Sequence, residues 1–154
     1  MARLTLQAAS RIVDTALARG REHRMMWLTV AVLDAGGHLV ALKREDGSGI
    51  LRPDIAIGKA WGALGMGVSS RLLRDRLTDR PTFVTALAAA SDGRFVPVPG
   101  GVLIRTADGE VLGAVGISGD TSDKDEYCAI EGVKAAGLAP DPAEPAPGWA
   151  ESKL

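Results

Sequence analysis

Apolar residues recur at three- and four-residue steps through positions 4–23, with Ala9, Ile12, Val13, Ala16, Leu17 and Gly20 in phase and Arg11, Asp14, Arg19 and Glu22 out of it. That period predicts an amphipathic helix, and Thr5 stands where a side-chain cap is needed. The period then changes to two. From Trp27 to Leu33, Leu28, Val30 and Val32 fall on one side and Trp27, Thr29, Ala31 and Leu33 on the other. A strand apolar on both sides belongs inside a sheet covered on both faces. Asp34-Ala-Gly-Gly37 turns the chain, and His38 to Arg44 returns as the partner strand. After the polar loop Asp46-Gly-Ser-Gly49, Pro53 marks a helix start. Asp54 to Gly67 keeps helical spacing although it carries Gly58, Gly62, Gly65 and Gly67. Each interior glycine costs about 1 kcal/mol against alanine. Several on one face imply close approach, either by a neighbouring element or by a flat ligand, and packing is the plainer of the two.

Ser69 to Leu77 predicts a short helix broken before Pro81, and Thr82 to Ala90 a further helix or an irregular cover. Asp92-Gly93 turns into a brief strand, Phe95 to Val98, which Pro99-Gly-Gly101 separates from two strands spanning 102–117. Asp108-Gly109 between those two is a strong hairpin signal, since both residues tolerate positive φ. Gly113 and Gly116 lie inside the second of them, where glycine implies close backbone approach. Ser122-x-x-Asp125 resembles a capping box opening a last helix to Ala136. That helix carries Asp125, Cys128, Ala129, Gly132 and Val133 on one face, and Gly137 and Pro140 stop it. Prolines 140, 142, 145 and 147 then interrupt a polar segment expected to be extended or disordered, with Trp149 available to dock on a neighbour. The expected organisation is one α+β domain over 1–139, with five mainly antiparallel strands and helices on both faces, followed by a proline-rich segment at 140–154.

Composition narrows the partners. A net charge of −1 and scattered arginines argue against nucleic acid. Arg71, Arg74 and Arg76 form the densest basic group, but Asp75 and Asp79 stand among them, as on a solvated helix face. Cys128 is the one cysteine, which fits a reducing compartment, and two histidines without zinc spacing predict no metal site. No apolar run reaches membrane-spanning length, so a cytoplasmic protein is expected. Ser152-Lys153-Leu154 matches a peroxisomal address, meaningful only in a host that has peroxisomes and otherwise chance.

Several motifs now stand in order: Asp34-Ala-Gly-Gly-His-Leu-Val40, Arg44-Glu-Asp46, Lys59-Ala60, Thr82-Phe-Val-Thr85, Pro99-Gly-Gly101, and Gly113-Ala-Val-Gly-Ile-Ser-Gly119 with Asp125-Glu126 behind it. In this succession the chain resembles the GlcG/HbpS family, whose domain also forms the C-terminal part of PduO-type proteins. The resemblance covers roughly residues 4–138. It implies a profilin-like fold, a five-stranded antiparallel sheet between helical layers, assembled as dimers or higher homo-oligomers. Some relatives bind haem, others are associated with corrinoid chemistry, and others stand beside glycolate-utilisation enzymes; fold therefore follows from the resemblance more firmly than function.

Three functions follow as expectations. The first is a binding protein for haem or a related tetrapyrrole. Its pocket is expected near the 99–101 loop, the 116–122 turn and the glycine-bearing helix. Gly58, Gly62, Gly100, Gly101 and Gly119 would admit the ligand, with Ser118 and Asp46 beside it and Lys59, Arg44 and Arg94 meeting its carboxylates. An axial ligand is the difficulty. His38 reads as a turn residue and His23 as a helix-end cation, Cys128 and Met66 read as packing, and Tyr127 lies on the last helix. The second is an enzyme acting on a small carboxylic or hydroxy acid, with Lys59 and Glu126 transferring protons and the amides of 119–122 binding the carboxylate. Asp120 and Asp125 are explained equally by the helix dipole. The third is a structural partner of a neighbouring enzyme. No Ser/His/Asp arrangement is legible, and Gly113-x-x-Gly116-x-x-Gly119 lacks the spacing of a nucleotide fingerprint.

Overall fold

Thr5 caps the first helix, its hydroxyl accepting from the Ala8 amide at 3.0 Å, and α1 runs Leu6–Glu22 with Ala9, Ile12, Val13, Ala16 and Gly20 buried. The structure, a computed structural model, describes residues 2–154. Beyond α1 come β1 (Thr29–Asp34), β2 (Leu39–Arg44), α2 (Arg52–Met66), α3 (Ser70–Leu77), α4 (Pro81–Ala90), β3 (Gly101–Arg105), β4 (Val111–Ser118), α5 (Ser122–Ala135) and β5 (Ala139–Asp141). The strands form one antiparallel sheet in the order β2-β1-β4-β3-β5. This is the α+β architecture the periodicities predict.

Helices α1 and α5 cover one face of the sheet and α2 the other. The α1/α5 side buries Ile12, Val13, Leu28, Val30, Val32, Val102, Ile104, Val115, Ile117 and Ile130. The α2 side buries Leu33, Ala60, Ala63, Leu103 and Ala114. Fully burying one such branched side chain contributes about 1.5–3 kcal/mol, so the two-sided alternation of β1 drives the layering. Small residues let α2 sit close. A Cβ on Gly116 of β4 would stand 1.9 Å from the Ala56 carbonyl oxygen of α2. On the other face, a Cβ on Gly132 of α5 would stand 2.6 Å from the Ile12 carbonyl oxygen of α1.

Two elements differ from expectation. Phe95 to Val98 is not a strand. Its residues pack on α2, with Phe95 against Gly62 and Val96 against Gly58, and the Val96 amide donates to the Gly58 carbonyl at 3.3 Å. Pro97 and Pro99 remove two of the donors a ladder needs. The fifth strand is instead β5, an edge strand beside β3, so the boundary drawn at 139/140 falls inside it. The chain beyond β5 is seated as well: Trp149 opens a single 3₁₀ turn to Glu151 and its ring stacks on Tyr127, centroids 3.7 Å apart. The cap of α5 is Thr121, which accepts from the Lys124 amide at 3.2 Å, rather than Ser122.

Candidate functional site

Arg44, Thr29 and Ser118 form one row across β2, β1 and β4 at a rim of the sheet. The rim is tied by its own side chains. Arg44 Nη1 donates to the Ser48 carbonyl at 2.6 Å, Thr29 and Ser48 share a hydroxyl bond of 2.7 Å, and Arg52 Nη1 donates to Ser118 Oγ at 3.0 Å. Asp46 stands exposed on the loop beyond Arg44.

Lys59 reaches into the interior from the middle of α2 and is 2% exposed. Its ammonium donates to the Ile117 carbonyl at 2.8 Å and to Asp125 Oδ2 at 3.2 Å. Asp125, 1% exposed, also accepts from the Asp120 amide at 3.0 Å. Burial pushes the Lys59 ammonium down and the Asp125 carboxyl up to about 6, and each charge draws the other back. Either charge alone in this interior would carry a penalty of several kcal/mol, so the pair stands or falls together.

Glu126, the next residue on α5, is 0% exposed, and neither of its carboxylate oxygens accepts a hydrogen bond. Arg71 Nε of α3 lies 3.3 Å from Oε2. Burial pushes the Glu126 carboxyl up to about 7, against the pull of the Arg71 guanidinium. A carboxyl poised there exchanges its proton near neutral pH, as a general acid or base must. Buried carboxylates without hydrogen bonds are rare in native proteins and ask for a reason.

The pocket expected between the 99–101 loop and the 116–122 turn is filled by Lys59. A Cβ on Gly100 would lie 2.9 Å from Lys59 Nζ, and one on Gly101 would lie 2.3 Å from the Lys59 carbonyl oxygen. Gly119 packs on the Trp27 carbonyl. Gly58 and Gly62 are covered by Val96 and Phe95, which answers the glycine face by internal packing rather than by a flat ring. The helix-start amides are engaged too: those of Asp120, Thr121 and Lys124 donate to Asp125, Asp120 and Thr121 side chains. Lys59 and Glu126 are both buried near the start of α5 but are not paired with each other; their partners are Asp125 and Arg71. Asp125 was visible as a carboxylate on the apolar face of α5, and a charge on such a face requires a partner. Arg71 carried no comparable signal.

A second feature lies at the end of α2. Trp61, Gly62, Gly65 and Met66 border an apolar hollow of about 170 Å³ with Leu87, Ala90, Ser91 and Phe95. The Arg94 guanidinium sits 4.2 Å over the Trp61 ring. At the far end of the sheet, an open hollow of about 480 Å³ beside Asp34, His38 and Glu110 contains none of the expected site residues.

Residues 4–134 match the family described as haem degrading protein HbpS-like. The chain belongs to this HbpS-like family. Protein GlcG of Escherichia coli K12 is 34% identical over 116 residues, covering 75% of this chain and 81% of GlcG. A solved PduOC–haem complex superposes with a TM-score of 0.79 at 23% identity, covering 90% of this chain and 98% of that one. The crystal structure of HbpS gives a TM-score of 0.74 at 26% identity, covering 87% and 90%. No helix of the described residues in this HbpS-like chain is long and apolar enough to cross a membrane.

Proposed function

We propose that the protein binds haem or a related tetrapyrrole, with the plate resting on the apolar hollow at the end of α2. The observation that carries this reading is the hollow itself, where Met66, 41% exposed, offers a thioether beside Trp61 and Phe95. Thioethers are among the side chains that ligate haem iron, and Arg94 beside the hollow suits a propionate. Enclosed small-molecule sites hold about 300–1,000 Å³. A hollow of about 170 Å³ therefore admits one edge of the plate and leaves the rest on the surface. The histidines suit the role less: His23 Nε2 is bonded to the Tyr127 hydroxyl at 3.2 Å, and His38 lies 3.3 Å from Asp34 at the hairpin turn. The HbpS-like family description and the haem-bound PduOC relative support the same ligand class. A homo-oligomer belongs to the reading, because Ile50, 89% exposed, and its neighbour Leu51 leave apolar surface that a second copy would cover.

Hemin titration tests it. A saturable Soret shift at micromolar protein is expected, with Met66→Ala and Arg94→Ala each weakening binding about tenfold, the loss of one ligand or charge-assisted contact. Sedimentation of the same samples reads subunit number. No Soret shift at micromolar protein would overturn the reading.

Glu126 favours a second reading, an enzyme acting on a small carboxylic or hydroxy acid. Its unbonded carboxyl, pushed up to about 7, supplies the acid–base group, and Arg71 is the cation for a carboxylate. Lys59 then serves as the buried counter-charge of Asp125 rather than as a second proton carrier.

A further inference from the structure

We propose that residues 142–152 form a displaceable strap that closes the Glu126–Arg71 pair off from solvent. The segment crosses the start of α5 after β5, and no residue in it is itself buried. Glu126 beneath it is fully buried. The Ala146 amide of the strap faces the Glu126 carboxyl and favours its charged form, though no hydrogen bond of good geometry forms. Arg71 serves both sides of this closure: its Nε lies 3.3 Å from Glu126, and its Nη2 donates to the Glu144 carbonyl of the strap at 3.0 Å.

The fastenings are few, and none of them is fully buried. Trp149 stacks on Tyr127 at an interplanar angle of 7°, with His23 edge-on to Trp149 at 5.3 Å. The Ser152 and Thr121 hydroxyls share a bond of 2.5 Å, and Lys134 lies 3.6 Å from the Glu144 carboxylate. A segment whose one core contact is the half-buried Trp149 ring, with scattered polar contacts besides, belongs to the low-stability end of local opening. The family match ends at residue 134, so the strap lies outside what the HbpS-like pattern requires. The groups that meet Glu126 also favour closure only conditionally. Arg71 and Arg74 come from α3, Asp123 from α5 and Lys59 from α2, and the strap contributes an amide but no counter-charge. In the closed arrangement the carboxylate has the Arg71 guanidinium at 3.3 Å and the Ala146 amide facing it but no well-formed hydrogen bond, and opening would add water to these. The hollow proposed for the tetrapyrrole shares none of these residues.

Carboxyl footprinting of the full chain tests the strap, using a water-soluble carbodiimide and an amine nucleophile with mass-spectrometric readout of each acidic residue. In Trp149→Ala, labelling of Glu126 is expected to rise about tenfold, the scale on which losing one stacked aromatic pair moves a local opening. Asp125, equally buried but tied to Lys59, stays protected, and exposed Asp46 labels as before. Ser152→Ala, a milder release, gives a smaller rise at Glu126 alone. Unchanged Glu126 labelling in both variants overturns the proposal. So does joint labelling of Glu126 and Asp125, because it would make the segment part of the core rather than a cover on it.

Discussion

Lys59 shows how one residue's role changes when its burial is known. As a cation on a helix it suggests a proton carrier; inside the structure it is a buried donor shared between the Ile117 carbonyl and Asp125. Removing one member of a buried ion pair leaves the other uncompensated, at about 3–5 kcal/mol. Lys59→Met is therefore expected to lose stability on that scale in urea unfolding. Lys59→Met/Asp125→Asn should recover most of it, because the amide carries no charge and still accepts from the Asp120 amide. Equal destabilisation in the single and double variants would show that the ammonium contributes through packing, not charge. The sequence marks Asp125, a carboxylate on the apolar face of α5, and singles out Lys59 only as a cation beside the glycine face of α2. It does not join them, because 66 positions separate them and they meet only where Lys59, from the α2 face of the sheet, reaches the end of β4 at Ile117 and the start of α5 on the other face.

At the scale of elements, periodicity carried most of the fold. The amphipathic α1, the β1–β2 hairpin, the glycine-bearing α2, the β3–β4 hairpin and α5 all form where hydrophobic spacing and turn residues place them. The misplaced strand has a physical cause. Phe95-Val-Pro-Val98 alternates like a strand, but it uses its side chains to fill the glycine face of α2. The three-residue β5 contains Pro140, and a proline within so short a run hides an edge strand from pattern reading. Glycines separate into those that hold layers together and those that do not. Gly116→Ala would drive a Cβ into the Ala56 carbonyl at 1.9 Å, where only movement of α2 makes room. Overpacking of this kind costs about 1–3 kcal/mol or more. Gly49 has open space around its Cβ position. Thermal unfolding is expected to show a large loss for Gly116→Ala and almost none for Gly49→Ala; similar values for both would contradict the close seating of α2 on β4.

For the whole molecule, titration ties the interior to the strap. Glu126 is raised from 4.5 to about 7 and Asp125 from 3.8 to about 6, so the folded protein keeps protons that the unfolded chain releases at lower pH. Stability from each carboxyl is full below its unfolded value and is lost as pH rises through its folded value. Lys59, pushed down by burial, acts in the opposite sense below its ordinary 10.5. Across pH 5 to 8 Glu126 is the carboxyl that changes most, and it lies under the segment proposed as a strap. The sequence singles out Glu126 as a proton carrier but not its burial, and it reads the four prolines as an extended or disordered segment with Trp149 available to dock, not as a cover on that carboxyl. Urea unfolding at a series of pH values joins the two. Stability should fall between pH 5 and 8. Glu126→Gln, which mimics the protonated form, should match the natural protein near pH 4, below the unfolded value of 4.5, and exceed it at pH 8 by up to about 3 kcal/mol, at 1.36 kcal/mol per pKa unit. Trp149→Ala should shrink that difference, because a carboxyl open to water loses its raised pKa. A difference between Glu126→Gln and the natural protein that is constant with pH would assign the fall to another group and detach the strap from the proton.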